Sequence, residues 1–246
     1  MYKANNPEIF ISYSWRNKDI ADEIDNRFKS VGITLRRDER DATYRASIKE
    51  FMQQISKTDY VLMIISDEFL RSENCMYEVI ELLNEHAFEK RILPVVLNNA
   101  QGIFKGPTRI VYYDYWEMEW KEAEKRKKKH PNTDTVNQAK HYQNIYNSLD
   151  SFFEKITDVN VLTFARLQQE NYRPILDFIG IEDPDLLQQV LEIDKLEDEE
   201  DKELALEEFL GKNPHNKYGL FLKAFIEASK DNPKKAKRYY LDLLQL

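Results

Sequence analysis

The chain has 246 residues, of which 42% are hydrophobic and 33% are charged. This composition supports a sizeable buried core and excludes a wholly disordered chain. The formal net charge of −8 argues against sequence-independent nucleic-acid binding. The six glycines form no Gly-rich phosphate loop, and the single cysteine excludes an internal disulfide and a CxxC zinc site.

The amino-terminal residues lack the apolar run of a signal peptide. No stretch reaches the ~18 apolar residues that a membrane span needs, and the longest dense apolar run, from Tyr60 to Ile65, has the length of a strand. We therefore expect a cytoplasmic protein that makes no membrane contact. The four histidines form no HExxH pair, so neither a metal nor a resident cofactor is predicted.

Short apolar runs predict five strands, over residues 9–11, 33–35, 60–65, 92–97 and 110–115. Apolar residues at helical spacing predict helices, over residues 20–28, 48–55, 76–87 and 142–156. Strands separated by helices indicate βαβ units, so we predict a five-stranded parallel α/β sheet of flavodoxin-like type with helices on both faces. Pro94 indicates that the fourth strand lies at an edge or carries a bulge.

In such sheets, ligands bind beyond the carboxyl ends of the strands, which selects residues 12–19, 36–44 and 66–78. A phosphate-accepting receiver domain shares this topology, but its magnesium site needs acids directly after the first strand. Here the first strand ends in Ser12-Tyr13-Ser14, and no lysine closes the fifth strand. Asp67, which follows the third strand, is therefore not predicted to accept a phosphate.

Residues 161–246 show no strand pattern, and prolines divide their helical apolar faces. From Leu204 to Leu243 three helical segments alternate with two breaks, which resembles about one tetratricopeptide-type (TPR) unit. We predict two domains, the sheet at residues 1–158 and a small TPR-like all-helical domain at residues 159–246. Residues 194–208 hold nine acids and two lysines, so the first domain is nearly neutral and compatible with an anionic dinucleotide.

Two segments together resemble the TIR (Toll/interleukin-1 receptor) domain family. Residues 8–14 are similar to the opening strand of TIR domains, and Asp19 supplies the acid that follows it. Residues 64–79 are similar to a second block, in which a central strand ends in a serine and Ser-x-x-Cys-x-x-Glu opens a helix. The resemblance covers residues 6–158. The loop at 36–45 departs from the family because it contains neither proline nor glycine.

The resemblance implies an enzyme, because many TIR domains cleave NAD⁺ between nicotinamide and ribose. The glutamate of the second block carries that activity, and it corresponds to Glu78. The implied function is a NAD⁺ nucleosidase that releases nicotinamide and ADP-ribose or a cyclic product, in an immune or antiphage role. The resemblance also implies homo-oligomers through TIR–TIR contacts. The C-terminal helices would then regulate or oligomerise the protein and offer a surface for a protein partner or ligand.

Further residues are assigned to NAD⁺ binding. Trp15 can stack on a base, and Arg36, together with Arg37 and Arg40, can pair with the pyrophosphate. Tyr44 can close over the nucleotide, and Cys75 is assigned to the pocket wall. The full substrate-binding set comprises Phe10, Ser12, Ser14, Trp15, Arg36, Asp38, Tyr44, Ser72 and Cys75.

Other interpretations of the same residues stay open. Glu78 can be a solvated acid that is favoured by the helix dipole, an explanation it shares with Asp67, Glu68 and Glu73. A TIR domain can act as a non-enzymatic adaptor through TIR–TIR contacts, and the same sheet can carry a deoxyribosyltransferase-like N-glycosidase. The basic run at 125–130 is interpreted as a solvated helix end rather than a nucleic-acid site.

Overall fold

The computed structural model describes residues 7–37, 58–83, 88–158 and 161–245. Its four strands are β1 (Ile9–Tyr13), β2 (Leu35–Arg37), β3 (Tyr60–Ile65) and β4 (Ile92–Val96). The helices, in chain order, are α1 (Lys18–Ser30), α2 (Asp67–Leu70), α3 (Glu73–Leu83), α4 (Phe88–Arg91), α5 (Gly106–Lys129), α6 (Thr133–Asp158), α7 (Phe164–Gln169), α8 (Arg173–Phe178), α9 (Pro184–Asp194), α10 (Glu199–Lys212), α11 (Lys217–Ser229) and α12 (Pro233–Leu243). Short 3-10 helices cover Trp15–Asn17 and Asn98–Phe104.

The strands form one parallel sheet in the order β2-β1-β3-β4. The central strands β1 and β3 are buried over nearly their whole length, because parallel sheets carry helices on both faces. This burial explains their almost continuous apolar sequences. The register pairs Tyr13 with Ile64, so the residues that follow β1 and β3 emerge at the same edge of the sheet.

The predicted fifth strand, residues 110–115, is wrong, because these residues lie within α5. Pro107 stands at the first positions of that helix, where its missing N–H costs nothing. Tyr112 and Trp116, one helical turn apart, are buried, whereas Ile110 and Val111 are exposed. A short apolar run does not distinguish a strand from one turn of a buried helix, and here the helical spacing of the two aromatic residues decides the outcome.

The other described predictions correspond to observed elements at slightly shifted bounds. The second strand begins at Leu35 rather than residue 33. The described part of the third helix covers Glu73–Leu83, and residues 84–87 of the predicted helix lie outside the described residues. Gly32 ends α1 in the left-handed region, and the Ile33 amide donates to the Phe28 carbonyl across the turn, as in a Schellman cap. The predicted helix at 48–55 lies outside the described residues.

The chain forms two compact units, each described here by itself. One unit contains Pro7–Asp25 and Leu35–Tyr172, and the other contains Asn26–Thr34 and Arg173–Leu246. In the second unit α11 is central, since it packs against α9, α10 and α12 and is buried on several sides. The Arg27 guanidinium joins the end of α1 to α9, 2.9 Å from the Asp185 carboxylate. The domain boundary at residue 158 and the TPR-like character of this unit stay predictions.

Candidate functional site

The candidate site begins at the carboxyl edge of the sheet, where β1 and β3 end in serines. Ser12 lies near the end of β1, Ser14 directly follows it, and Ser66 directly follows β3. All three serines are buried. A buried hydroxyl needs a hydrogen-bond partner, so polar groups from neighbouring elements are expected at this edge.

Glu78 reaches this edge from α3. The helix buries one face against the sheet, and Cys75, Met76, Val79 and Leu82 lie on that face. Glu78 is on the buried side as well and is only 3% exposed. The Ser12 hydroxyl donates a hydrogen bond of 2.6 Å to Glu78 Oε2, which links the first strand to the helix. A short bond to a carboxylate is among the stronger hydrogen bonds in proteins.

The burial of Glu78 excludes the interpretation of this residue as a solvated acid. Its burial next to a strand end removes the carboxylate from bulk water, so its charge is screened less than that of a surface acid. A carboxylate in such a setting stabilises a nearby developing positive charge more strongly than one at the surface. The arrangement can therefore support chemistry that passes through a cationic intermediate.

A second buried polar pair lies at the same edge. The Ser66 hydroxyl donates to Asn17 Oδ1 at 2.6 Å and accepts the Phe69 amide at 3.0 Å, so it caps α2 and anchors the turn after β1. Both residues lie in segments that the strand-end rule selects, Asn17 in 12–19 and Ser66 in 66–78, but neither belongs to the predicted substrate-binding set.

Trp15 is held in the short helix between these anchors. Asn17 donates its amide to the Ser14 carbonyl at 2.7 Å, which closes the turn around the tryptophan. The indole is 50% exposed, and its ring centroid lies 6.2 Å from that of Tyr13. An exposed indole on a rigid turn next to a strand end is a suitable stacking surface for a planar base.

The arginines of β2 are engaged in ion pairs. Arg36 pairs with Glu8, which precedes β1, at 2.7 Å, so its guanidinium extends toward the amino end of the sheet. Arg37 pairs with both Asp22 and Asp25 on α1. Its bonds to Asp22 are the main cause that holds the pKa of that carboxyl below its usual value. The structure therefore does not bring Arg36 to the edge where Ser12 and Glu78 meet.

The remaining predicted site residues lie in different places. Phe10 is fully buried in the apolar core, and Cys75 is buried on the inner face of α3. Ser72 precedes that helix, and its hydroxyl accepts the Cys75 amide at 3.4 Å. Asp38 and Tyr44 lie outside the described residues, as does Arg40.

The other acids of the second block have structural partners. Asp67 pairs with Arg71 at 3.0 Å, and Glu68 accepts the Asn99 amide at 3.0 Å. Its own backbone amide and the Asn99 bond keep the pKa of Glu68 below its usual value. Glu73 accepts the Tyr142 hydroxyl at 2.9 Å, and burial together with this bond raises the pKa of Tyr142 to about 12. Glu78 is thus distinguished from them by its place at the strand end.

Ser12→Ala is expected to lower the free energy of unfolding by about 1–3 kcal/mol, because it removes a hydrogen bond to a buried carboxylate. Ser14→Ala is the matched control, since Ser14 is also buried at this edge but its side chain makes no capping hydrogen bond. Urea denaturation followed by circular dichroism measures both variants. Equal losses in the two variants would contradict the importance assigned to the Ser12–Glu78 bond.

In the described part of the chain, no helix has both the length and the apolarity to cross a membrane. The same residues contain no cluster of three or more acidic, histidine or cysteine side chains placed to hold a metal ion.

The sheet-containing part of the chain matches a known protein family. Residues 9–128 match the family model of the TIR domain. The matched segment contains the four described strands of the parallel sheet, residues 9–14 of the first segment of the resemblance and the whole of the second, residues 64–79. Comparisons with curated proteins and with solved structures give no significant match. The family match and the observed sheet together support a TIR domain over residues 9–128.

Proposed function

We propose that this protein is a TIR-type NAD⁺ nucleosidase in which Glu78 is the catalytic carboxylate. The observation that carries the proposal is the position of Glu78, buried at the carboxyl edge of the sheet and hydrogen-bonded to Ser12. This edge is where doubly wound sheets bind their ligands.

The reaction needs only one carboxylate. The bond between ribose C1′ and the nicotinamide nitrogen breaks, its electron pair neutralises the pyridinium nitrogen, and nicotinamide leaves as a neutral molecule. The ribose becomes oxocarbenium-like, and the Glu78 carboxylate stabilises that positive charge at short range. Water then forms the new bond at C1′ and releases one proton, which gives ADP-ribose. A hydroxyl or ring nitrogen of the same nucleotide in place of water gives a cyclic product.

Ser12 acts as a positioning residue in this proposal. Its hydroxyl fixes Oε2 of Glu78, so the carboxylate keeps one orientation as the substrate approaches. Trp15 supplies a stacking surface for a base, and its exposure leaves the ring available.

The adaptor role is the second candidate, and one observation favours it. Glu78 is hydrogen-bonded within the fold, as a purely structural carboxylate would be. On this alternative, the protein associates through its TIR domain and consumes no NAD⁺.

Product analysis distinguishes the candidates. The full chain is incubated with NAD⁺ over a range of protein concentrations, with and without a crowding agent, and nicotinamide, ADP-ribose and cyclic products are separated by chromatography. Release of nicotinamide that depends on Glu78 supports the nucleosidase. Association without NAD⁺ loss under every condition supports the adaptor, and turnover of deoxynucleosides instead of NAD⁺ supports the deoxyribosyltransferase-like alternative.

A further inference from the structure

The outer surface of α12 combines unpaired cations with exposed leucines. Lys234, Lys235, Lys237 and Arg238 are all exposed, and none of the four forms an ion pair with a residue that the structure describes. The leucines are close to these cations, because residues three and four apart on a helix are neighbours. Leu241 follows Lys237 and Arg238 at this spacing and is 48% exposed, and Leu244 at the end of the helix is 82% exposed.

The outer surface of α10 carries negative charges, in contrast to the positive charges of α12. Leu204 is 69% exposed and lies one turn after Glu200 and Asp201, which are themselves exposed. Neither acid has a cationic partner within the described ranges. The segment from residue 194 to residue 208 carries most of the net negative charge of the chain. An exposed leucine among acids is therefore present in the same unit as exposed leucines among cations.

These two surfaces lie on separate helices, with α11 between them. α12 packs mainly against α11, and α11 in turn packs against α10. The acids of α10 that face α11 are already neutralised, since Glu207 pairs with Lys223 at 3.0 Å and Glu203 pairs with Lys230. Glu200 and Asp201 are exposed and form no ion pair with a described residue, so their charges are left available for a partner.

We propose that the α12 surface of one copy of this chain docks on the α10 surface of the next copy, in a head-to-tail contact. Leu241 and Leu244 then cover Leu204, and the lysines of α12 face Glu200 and Asp201. Such a contact joins different surfaces of the two copies, so it leaves one free surface at each end and can continue into a ring or a filament. The proposal does not depend on NAD⁺ cleavage.

A second copy explains more of the surface than an anionic membrane does. A bilayer would attract the cations of α12 and accept its leucines. It would leave Leu204 of α10 exposed among acids that repel the same bilayer. A second copy covers both leucine surfaces and gives the two acids of α10 cationic partners on α12.

Sedimentation velocity of the full chain tests the proposal with two charge-removing variants. The α12 variant combines Lys234→Ser, Lys235→Ser, Lys237→Ser and Arg238→Ser, and the α10 variant combines Glu200→Gln, Asp201→Asn and Leu204→Ser. We expect the wild type to associate with rising concentration, and to associate less when the salt is raised from about 0.05 M to about 0.5 M. Each variant alone is expected to associate at least about tenfold more weakly.

A mixture of the two variants provides the sharpest outcome. The α12 variant keeps its α10 surface and the α10 variant keeps its α12 surface, so only one intact contact is possible between them. The mixture is expected to form a dimer that contains one copy of each variant and does not grow further. Two symmetric surfaces would not produce this pattern.

Removal of four cations elsewhere is the matched control. Lys125→Ser, Arg126→Ser, Lys128→Ser and Lys129→Ser remove the same charge from the end of α5, and this variant is expected to associate like the wild type. Three outcomes overturn the proposal: association that survives in both test variants, an equal loss in the control, or a wild type that stays monomeric. Binding of a monomeric wild type to vesicles with anionic lipids would assign the α12 surface to a membrane instead.

Discussion

Glu78→Gln is expected to reduce nicotinamide release from NAD⁺ by about 10²- to 10³-fold, because it removes the negative charge that faces the developing oxocarbenium ion. The amide keeps the size of the carboxyl group, and its oxygen still accepts the Ser12 hydroxyl. The variant is therefore expected to stay folded, so the loss reports on charge and not on structure. Chromatography of the reaction mixture measures the rate, and circular dichroism checks the fold.

Glu81→Gln is the matched control for this experiment. Glu81 lies one turn further along α3, and its substitution removes the same charge from the same helix. It is expected to leave the rate within about twofold of the wild type, because a more distant and partly exposed charge is screened by solvent. Equal rates for the wild type and Glu78→Gln would remove Glu78 from the catalytic role, and equal losses in both variants would show a general effect of charge on the helix.

Trp116→Ala is expected to lower the free energy of unfolding of the sheet-containing unit by about 3–5 kcal/mol. Trp116 is buried, and its indole nitrogen donates to the Leu70 carbonyl at 2.9 Å. Its ring also contacts Tyr115 and Tyr142 edge-on, at centroid distances of 5.1 Å and 5.7 Å. Truncation leaves a cavity and an unpaired carbonyl at the turn that leads into α3, so both the core and the helix of Glu78 lose support.

Trp15→Ala provides the comparison for Trp116→Ala, because it is the same substitution at a half-exposed tryptophan. Its expected cost is below about 1 kcal/mol, in line with surface substitutions. Thermal denaturation of both variants gives the two values, with a shift of roughly 10 °C expected for Trp116→Ala. Similar shifts would show that Trp116 does not hold the core together as its contacts indicate.

The periodicity of the sequence predicts most of the described sheet. β1, β3 and β4 are predicted because continuous apolar runs are typical of parallel strands buried on both faces. The strand predicted at residues 110–115 is a helix, for a physical reason that the sequence does not reveal. Tyr112 and Trp116 are spaced for a helix face, but their burial depends on contacts with Leu70 and Phe153, which are distant in sequence.

The candidate site is predicted in outline and not in detail. The resemblance to the second TIR block identifies Glu78, and the ends of the strands identify Ser12, but the hydrogen bond that joins the two is seen only in the folded chain. The ion pair of Arg36 with Glu8 could not be foreseen from the sequence. A guanidinium on a flexible side chain can pair with any acid within reach, and which acids are within reach depends on the folded structure. The role of Asn17 cannot be foreseen either, since it depends on a hydrogen bond from Ser66, which is distant in sequence.

The helical course of α5 has a consequence for β4. No described strand pairs with the outer side of β4, which meets only a single bridge from Val96 to Thr163. An open edge of this kind is a template on which another chain can add a strand and begin to aggregate. Pro94 lies in the middle of β4 and has no N–H to donate, so it interrupts the ladder that an incoming strand would need. Pro94 thus interrupts the outer edge of β4, the last strand of the described sheet, at the side where the sequence predicts a further strand.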